Sequence, residues 1–263
     1  MFAGDFLFNN QKASDFNLVI SSDNGGDAVV SGGEIEISSV RPPDRDNYDF
    51  YVGSLNSPIQ FTFSVIKNRC DDPNDNYITQ EEESRIAKWL LRKSKHLGYG
   101  WLQFDQEYYR DICYHVCFNE MKPIQVNGRT VGFELNCISD CGYAFTNEKK
   151  HKFNLVAGSN VTIVLTNDMV TYTYPKITIS GGSGNFYFAN NSDTEQLSSK
   201  FKNVTGTLEL DCQNDTINGL TSPTDFENWI FPRMVDGDNE FETNSANTLT
   251  VELSYREVRR VLV

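Results

Sequence analysis

Apolar and polar side chains alternate along most of this chain in short segments, and these segments are rich in aromatic and β-branched residues. Gly, Asn and Asp separate one segment from the next. A period of two places successive side chains on opposite faces of a strand, so the pattern predicts a mainly β protein. The strands predicted in the first half carry the sequences GDFLF, FNLVI, GEIEISSV, IQFTFSVI, GWLQF, ICYHVCF and RTVGFELNC. The dipeptide Asn127-Gly128 favours a type I′ hairpin turn between the last two.

One segment breaks this alternation, and it predicts a single α-helix over about residues 80–95. Thr79 is a candidate N-cap, and Glu82, three residues later, completes a capping box. The apolar residues of the segment share one face at helical spacing: Ile86, Trp89 and Leu90. We expect this face to pack on a sheet.

The first twenty residues, MFAGDFLFNNQKASDFNLVI, combine many apolar side chains with scattered acidic and amide residues. A secretion signal has an unbroken apolar stretch after a basic region, so this segment is predicted to belong to the fold. It predicts two strands, over residues 2–8 and 16–20, joined by a turn at Asn9 and Asn10. The pattern leaves open which of its aromatic side chains face the core.

A charge cluster at residues 145–153, FTNEKKHKF, interrupts the strand pattern and marks a candidate domain boundary. We expect an N-terminal domain over residues 1–147 and a C-terminal domain over residues 148–263. Strand patterns resume after the cluster, so the second domain is predicted to be an all-β sandwich or jelly roll. Residues 24–58 contain two Gly-Gly pairs and one Pro-Pro pair, which predicts an extended arm that lies against something outside its domain.

The balance of charge restricts the possible partners. The 263-residue chain has 23 basic and 36 acidic residues, a formal net charge of −13. Nucleic-acid binding depends on Lys and Arg that neutralise phosphates, so we predict no sequence-specific nucleic-acid binding. The acidity favours solubility, or a surface to which DNA does not adhere. No apolar run reaches the roughly 18 residues of a membrane-spanning helix, so we expect assembly in the cytoplasm without a membrane partner.

Six cysteines raise the question of a metal site. Two pairs share a spacing of four residues: Cys113/Cys117, with His115 between them, and Cys137/Cys141. Residues i and i+4 of a strand point to the same face, so the four thiols can converge if the two segments pair. The alternative is that they are small buried side chains of two strands, which their apolar neighbours favour. We therefore predict no metal and no cofactor.

Recognisable catalytic motifs are missing from the sequence. It contains neither Gly-x-Ser-x-Gly nor His-Glu-x-x-His, and the glycine-rich SGGSGN at residues 180–185 lacks the Lys of a phosphate-binding loop. The Asx-rich segments DCQNDTINGL and DGDNEFE lack the terminal Glu of a calcium loop and are more typical of turns. We predict no catalytic residues. Trp229 and Tyr187 lie in or near turn-rich segments of the predicted sandwich, so a carbohydrate site there is an alternative function.

The motifs of the chain follow one another in a characteristic order. FLFNNQKASDFNLVI near the start is followed by IQFTFSVI, IAKWLL and GFELNCISDCGYAF, and then by YPKITISGGSGNFYFAN, NWIFPRMVDGDNEFE and LTVELSYREVRR. This order resembles that of siphophage distal tail proteins, which open with Phe-x-Phe-Asn-Gly and then Ser-Asp-Phe-Gly. The residues that match the opening motif are Phe6, Phe8, Asn9, Ser14, Asp15 and Phe16. Asn10 and Asn17 replace the two glycines, and Asn is the non-glycine residue that best tolerates a positive φ.

The resemblance implies a fold with two parts. An N-terminal β-sandwich-like domain with one α-helix precedes a C-terminal galectin-like β-sandwich, or jelly roll. After Val40 the segment RPPDRDNYDFYVGS replaces the family's shorter Gly-Arg-rich stretch. The candidate contacts of the arm with a neighbour therefore lie at Arg41, Pro42, Pro43 and Arg45.

The resemblance also implies a structural role in a virion. Distal tail proteins form a hexameric ring, with a central channel for DNA, at the tip of a long non-contractile tail. The ring joins the tail tube to the tail-associated hub protein and the host-adsorption baseplate. The expected partners are therefore further copies of the chain, the tail tube protein, the hub or lysin protein, and receptor-binding or other baseplate proteins. No catalysis is expected.

Overall fold

The computed structural model describes residues 4–21, 29–31, 38–40, 49–51, 57–68, 76–91, 98–105, 110–168 and 171–260. Within them the protein is mainly β with one helix, which confirms the predicted fold class. The chain divides into two compact units, residues 1–144 with 260–263 and residues 145–259. No described helix is long and apolar enough to span a bilayer. The predicted arm contacts Arg41, Pro42, Pro43 and Arg45 lie outside the described residues, as does most of the arm.

One large sheet, a separate two-stranded sheet and one helix make up the described part of the first unit. Its strands are β1 (Phe6–Phe8), β2 (Gln11–Lys12), β3 (Leu18–Ser21), β4 (Val29–Ser31), β5 (Ser38–Val40), β6 (Asp49–Tyr51), β7 (Gln60–Lys67), β8 (Gly100–Phe104), β9 (Ile112–Val126) and β10 (Arg129–Ser139), and its helix is α1 (Gln80–Leu90). The main path of the sheet is β2-β1-β8-β9-β10-β7-β3; β4 also pairs with β7, and β5 pairs with β6. Asn127 and Gly128 connect β9 to β10 with φ of 52° and 76°, as a type I′ turn requires.

The hairpin at the start of the chain differs from the predicted one. β1 does turn at Asn9 and Asn10, whose φ values are 51° and 64°, but the strand that follows the turn and pairs with β1 is β2. Of the predicted pairing between residues 2–8 and 16–20, the described residues show one antiparallel bridge, between Gly4 and Ile20. A two-residue turn returns the chain at once, so residues 11 and 12 take the pairing positions. Phe16 instead ends a 3₁₀ turn that begins at Ala13, and β3 then pairs with β7.

The N-terminus of α1 is built as the sequence predicts. The Thr79 side chain accepts a hydrogen bond from the Glu82 N–H, and the Glu82 carboxylate accepts one from the Thr79 N–H. Glu82 also accepts a 3.0 Å bond from the ammonium of Lys67, which is buried in β7 and donates to the Tyr77 carbonyl as well. The helix ends at Leu90, earlier than the predicted residue 95.

Trp89 docks the helix on the sheet. Its indole ring stacks on Phe16 at 4.4 Å and on Phe6 at 5.5 Å between centroids. The indole N–H donates a 3.1 Å hydrogen bond to the Phe8 carbonyl. Phe6 and Phe8 are fully buried in the core of the first unit, and Ile86 of α1 belongs to the same core. The predicted apolar face of the helix therefore covers the sheet.

Two sheets enclose the core of the second unit. The strands of this part of the chain are β11 (Ala144–Thr146), β12 (Lys149–Leu155), β13 (Val161–Leu165), β14 (Lys176–Ser180), β15 (Gly184–Asn190), β16 (Ser199–Val204), β17 (Leu208–Asp211), β18 (Thr216–Asn218), β19 (Gly237–Thr243), β20 (Leu249–Tyr255) and β21 (Val258–Arg259). One sheet has the order β12-β20-β14-β17-β18, and the other has the order β13-β19-β15-β16. Both contribute side chains to a single apolar core, so this unit is a β-sandwich as predicted.

The pairing of Glu82 with Lys67 makes part of the stability dependent on pH. Burial raises the pKa of Glu82, but the hydrogen bond from Thr79 and the pairing with Lys67 outweigh burial and lower the pKa below its usual 4.5. A carboxylate whose pKa is lowered in the folded protein stabilises the folded state, and this contribution is complete when the pH is above the pKa of the unfolded chain. The contribution is lost as the pH falls through the lowered pKa of the folded protein.

Glu82→Gln is expected to lower the free energy of unfolding by about 2–3 kcal/mol at pH 7, because it leaves the buried Lys67 ammonium without its carboxylate. The difference from the wild-type protein should narrow as the pH falls below 4.5 and passes through the lowered pKa of Glu82, because the carboxylate itself is then protonated. Urea unfolding between pH 3 and pH 7 measures both effects. Glu81→Gln, at an exposed glutamate of the same turn, is the control and should cost about 0.5 kcal/mol. If Glu82→Gln and Glu81→Gln lower the free energy of unfolding by the same amount, the stabilising role assigned to the Glu82–Lys67 pair is contradicted.

Trp89→Ala is expected to destabilise the protein by about 3–5 kcal/mol, since it removes the ring on which α1 docks. Trp89→Phe should cost less, about 1–3 kcal/mol, because an aromatic ring remains but the Phe8 carbonyl loses its donor. Thermal unfolding followed by circular dichroism gives the order of the two variants. A cost below about 1 kcal/mol for the alanine variant would show that other contacts hold the helix.

Candidate functional site

Of the four cysteines considered as metal ligands, three lie on strands β9 and β10, and Cys141 lies beyond the end of β10. Cys137 points into the core opposite Phe118, whereas Cys117 is the next residue along β9 and faces the other side. His115 does not complete a thiol cluster, because its Nδ1 lies 2.5 Å from Asp140 Oδ2. Within the described part of the chain, no group of three or more His, Cys, Asp or Glu side chains is placed to hold a metal ion.

Burial also makes these thiols poor nucleophiles. It raises the pKa of Cys141 to about 12, although a backbone hydrogen bond of Tyr143 acts in the opposite direction. Burial likewise raises the pKa of Cys137 well above its ordinary value. A thiol reacts as its thiolate, so neither side chain is prepared for covalent catalysis near neutral pH. Cys70 lies outside the described residues.

The aromatic members of the opening motif lie in the first unit's core and not on its surface. Phe6 and Phe8 are fully buried, and Phe16 packs against that core at its edge. Asn9 occupies the turn after β1, and its side-chain oxygen accepts a bond from the Trp101 N–H at 3.3 Å. The question that the sequence left open is thus answered for Phe6 and Phe8, which face inward.

The polar members of the motif hold the backbone of the 3₁₀ turn. Ser14 Oγ donates a 2.7 Å hydrogen bond to Asp5 Oδ2, and Asp5 Oδ1 accepts from the Ser14 N–H. Asp15 accepts from the Lys12 N–H at 3.0 Å. Asp5 was not recognised from the sequence, because it lies nine residues before Ser14, beyond the range of local side-chain-to-backbone hydrogen bonds. The motif therefore specifies local structure.

A shallow depression of about 270 Å³ lies on the five-stranded sheet of the second unit, and polar side chains dominate its lining. Lys176 and Asp211 form an ion pair in it at 3.2 Å. Burial raises the pKa of Asp211, but hydrogen bonds from Asn214 and Lys176 outweigh burial and lower it. The carboxylate is thus ionised near neutral pH and engaged, so it is a poor general acid.

The Asx-rich segments that resemble calcium loops have ordinary structural roles. DCQNDTINGL forms the β17 to β18 hairpin, where Asp211 Oδ2 accepts a 3.0 Å bond from the Asn214 side chain. Most of DGDNEFE is strand β19. Its Asn239 is fully buried, and the side-chain amide donates to the Val235 carbonyl at 2.9 Å.

Arg233 organises a polar cluster that sequence reasoning missed. Its guanidinium donates to the buried Asp193 at 2.6 Å and lies 3.6 Å from the ring centroid of Tyr172. The Tyr172 hydroxyl donates to Glu195 at 2.6 Å. The hydrogen bond to Asp193 raises the pKa of Arg233 further above its already high value. Arg233 is thus paired with both Asp193 and Glu195, and these bonds connect segments that are distant in the sequence.

Trp229 is the surface residue with the most unusual backbone. Of the seven non-glycine residues with positive φ in the described chain, six are Asn or Asp and the seventh is Trp229, with a φ of 51°. A bulky residue rarely adopts this conformation. Its side chain is 53% exposed. The Asn228 side chain fixes the loop by accepting from the Lys200 N–H and donating to the Ser198 carbonyl.

Tyr187, the second aromatic residue considered for sugar binding, is less available than Trp229. It is half-buried, and its hydroxyl donates a 3.0 Å bond to Glu242. The Trp229 ring packs on that of Phe226, at 5.4 Å between centroids.

A solved structure has a similar fold over the whole chain. The chain is similar to the Dit protein of phage SPP1, described as a paradigm of the hub adsorption apparatus in phages that infect Gram-positive bacteria. The TM-score is 0.63 at 11% sequence identity, and the alignment covers 98% of this chain and 99% of that one. At this identity the likeness concerns the fold. No curated protein sequence matches the chain.

Two protein-family models together match nearly the whole chain. A model described as the phage tail protein N-terminal domain matches residues 1–141, and one described as the phage tail C-terminal domain matches residues 143–256. Together with the fold, these matches confirm the resemblance to distal tail proteins seen in the motifs. The chain belongs to the family of phage tail proteins defined by these two domains.

Proposed function

We propose that this phage tail protein is a distal tail protein that forms a hexameric ring at the tip of a long non-contractile tail. The observation that carries the proposal is the agreement with the Dit fold over 98% of the chain, through both units. The ring joins the tail tube protein to the hub protein and to receptor-binding or other baseplate proteins. The chain assembles in the host cytoplasm and is then a part of the virion.

The charge of the chain supports a passage for DNA through the ring. A net charge of −13 per subunit repels phosphates, and a channel wall must not retain the genome that passes through it. The role requires no catalysis, and the engaged side chains described above favour a structural protein over an enzyme.

The opening motif contributes to assembly by fixing the first unit. Phe6 and Phe8 anchor β1 in the core, and the polar bonds of Ser14 and Asp15 fix the turn that follows. A ring of identical subunits closes only if each subunit presents its contact surfaces at a constant angle. A rigid first unit meets this condition. The arm at residues 24–58, with Arg41, Pro42, Pro43 and Arg45, contacts the next subunit.

The purified protein is expected to form a closed hexamer of about 179 kDa, six times its 29.9 kDa mass. Light scattering coupled to size exclusion measures this mass, with and without the hub protein, because a partner can be needed for closure. A strict monomer under both conditions would contradict the ring.

Arg41→Glu/Arg45→Glu tests the contribution of the arm within the same measurement. If these arginines contact the next subunit, reversing their charge shifts the population from hexamer to smaller species. Lys150→Glu/Lys152→Glu, at two exposed lysines of β12, makes the same change of charge and should leave the mass unaltered. If the two double variants have the same oligomer mass by light scattering, a specific role of Arg41 and Arg45 in ring assembly is excluded.

The position of Trp229 favours a second candidate function, the binding of cell-wall polysaccharide through the second unit. A half-exposed indole can stack on the apolar face of a sugar ring, and the loop that carries it is held by the bonds of Asn228. Backbone strain of this kind is concentrated at binding sites in many proteins.

For this candidate, Trp229→Ala is expected to reduce glycan binding about tenfold or more, and Trp229→Phe should retain part of it. A glycan array probed with the full chain, followed by titration, gives the affinities. Tyr174→Ala, at another exposed aromatic residue of the same unit, is the control. If the wild-type protein binds no glycan, or if the alanine variant binds as well as the wild type, this function is excluded.

A further inference from the structure

The sandwich of the second unit has four sheet edges, and three of them carry features that prevent another strand from adding. β12, at one edge of the five-stranded sheet, carries Lys149, Lys150 and Lys152, which are 45–73% exposed. β18, at the other edge, has three residues. Edge lysines and very short edge strands are common protections against strand addition.

The third protected edge is that of β16 in the four-stranded sheet. The segment around Phe226 runs along it: Phe226 forms a β-bridge with Phe201, and the Glu227 N–H donates to the Lys200 carbonyl at 3.0 Å. The outer side of β16 is therefore occupied by this segment of the same unit.

The fourth edge, β13, has none of these protections. Its sequence, VTIVL, contains no charge and no proline, and its register with β19 is regular over all five residues. Among the described residues of the second unit, no strand lies on its outer side. Val164 on this strand is 60% exposed, one of the most exposed large apolar side chains of the described chain. A bare apolar edge strand is a template for pairing with another strand.

We propose that β13 pairs antiparallel with β13 of a second copy of this chain, so that the two four-stranded sheets become one continuous sheet. The strand is suited to pair with itself. A two-fold axis at Ile163 places Thr162 opposite Val164 of the second copy and Val161 opposite its Leu165. These are β-branched or apolar pairs without like charges, which favour cross-strand contact.

The acidic neighbours of β13 do not oppose this pairing strongly. Asp238 and Glu240 on β19 lie opposite Val164 and Thr162 in the register. In the continuous sheet, three strand spacings, about 14 Å, separate the two copies of β19. This distance exceeds the Debye length of about 8 Å at physiological ionic strength, so the repulsion between the copies is largely screened.

The contact differs from the ring contacts of the proposed function. A two-fold pairing joins copies in twos and cannot by itself close a six-membered ring. It uses the second unit, whereas the ring is proposed to use the first unit and its arm. The pairing therefore stands whether the chain forms rings or not.

Hydrogen exchange of the full chain, read by mass spectrometry at about 1 and about 100 µM protein, tests the pairing. The amides on the outer side of β13 exchange with water in a single copy and are hydrogen-bonded in the pair. Peptides that contain residues 161–165 should become protected as the concentration rises, and peptides from β12 should not. Sedimentation velocity over the same range of protein concentration should show that the mass of the particle doubles, whether that particle is a monomer or a ring.

Val164→Lys adds the charge that the other edges carry and should raise the dissociation constant of the pair at least about tenfold. The variant should remain folded, because Val164 is exposed and Asp238 lies opposite on β19. Val126→Lys, at an exposed valine of the first unit, is the matched control and should pair like the wild type.

Protection of β13 that is independent of concentration, or pairing that survives in Val164→Lys, would overturn the proposal. So would protection that develops only after another purified tail protein is added, since the occupant of the edge would then be that protein. If the protein does not form rings, the β13 pairing can still be tested by hydrogen exchange and sedimentation, because monomers would pair through β13.

Discussion

The first unit depends on the docking of one helix through one side chain. An isolated helix of eleven residues is only marginally stable in water, so α1 owes its stability mainly to packing. Trp89 provides that packing by contacting β1 and the 3₁₀ turn together, through two stacked rings and a buried hydrogen bond. The aromatic motif at the start of the chain is therefore understood as the receiving surface of the helix.

The second unit is governed by a different constraint, the exposed hydrogen-bonding groups at the edges of its two sheets. Such edges promote unwanted association unless they are charged, short or covered. Three of the four edges meet one of these conditions, and polar clusters such as that of Arg233 connect the loops between strands. Within the described residues, no group of three or more His, Cys, Asp or Glu side chains is placed to hold a metal ion.

The features that the sequence predicted correctly are local ones. The capping box of Thr79 and Glu82 and the turn at Asn127 and Gly128 each involve residues close together in the chain, whose conformational preferences are strong. The buried faces of the strands followed from alternation. The second strand of the opening hairpin was placed too far along the chain, because the two-residue turn at Asn9 and Asn10 brings residues 11 and 12 opposite β1.

The pattern of apolar and polar residues along the sequence did not predict contacts between residues far apart in the chain. Lys67 is a buried charge on an apolar strand, and its partner Glu82 lies on another element. Arg233 pairs with Asp193 and Glu195, which lie 40 and 38 positions earlier in the chain, and no periodicity relates these residues. The central claim, a six-membered ring with a channel, is tested most directly by electron microscopy of the purified protein with the hub protein present. The account predicts class averages with six-fold rotational symmetry around an open centre, and it is contradicted if the particles are single subunits or rings of another symmetry.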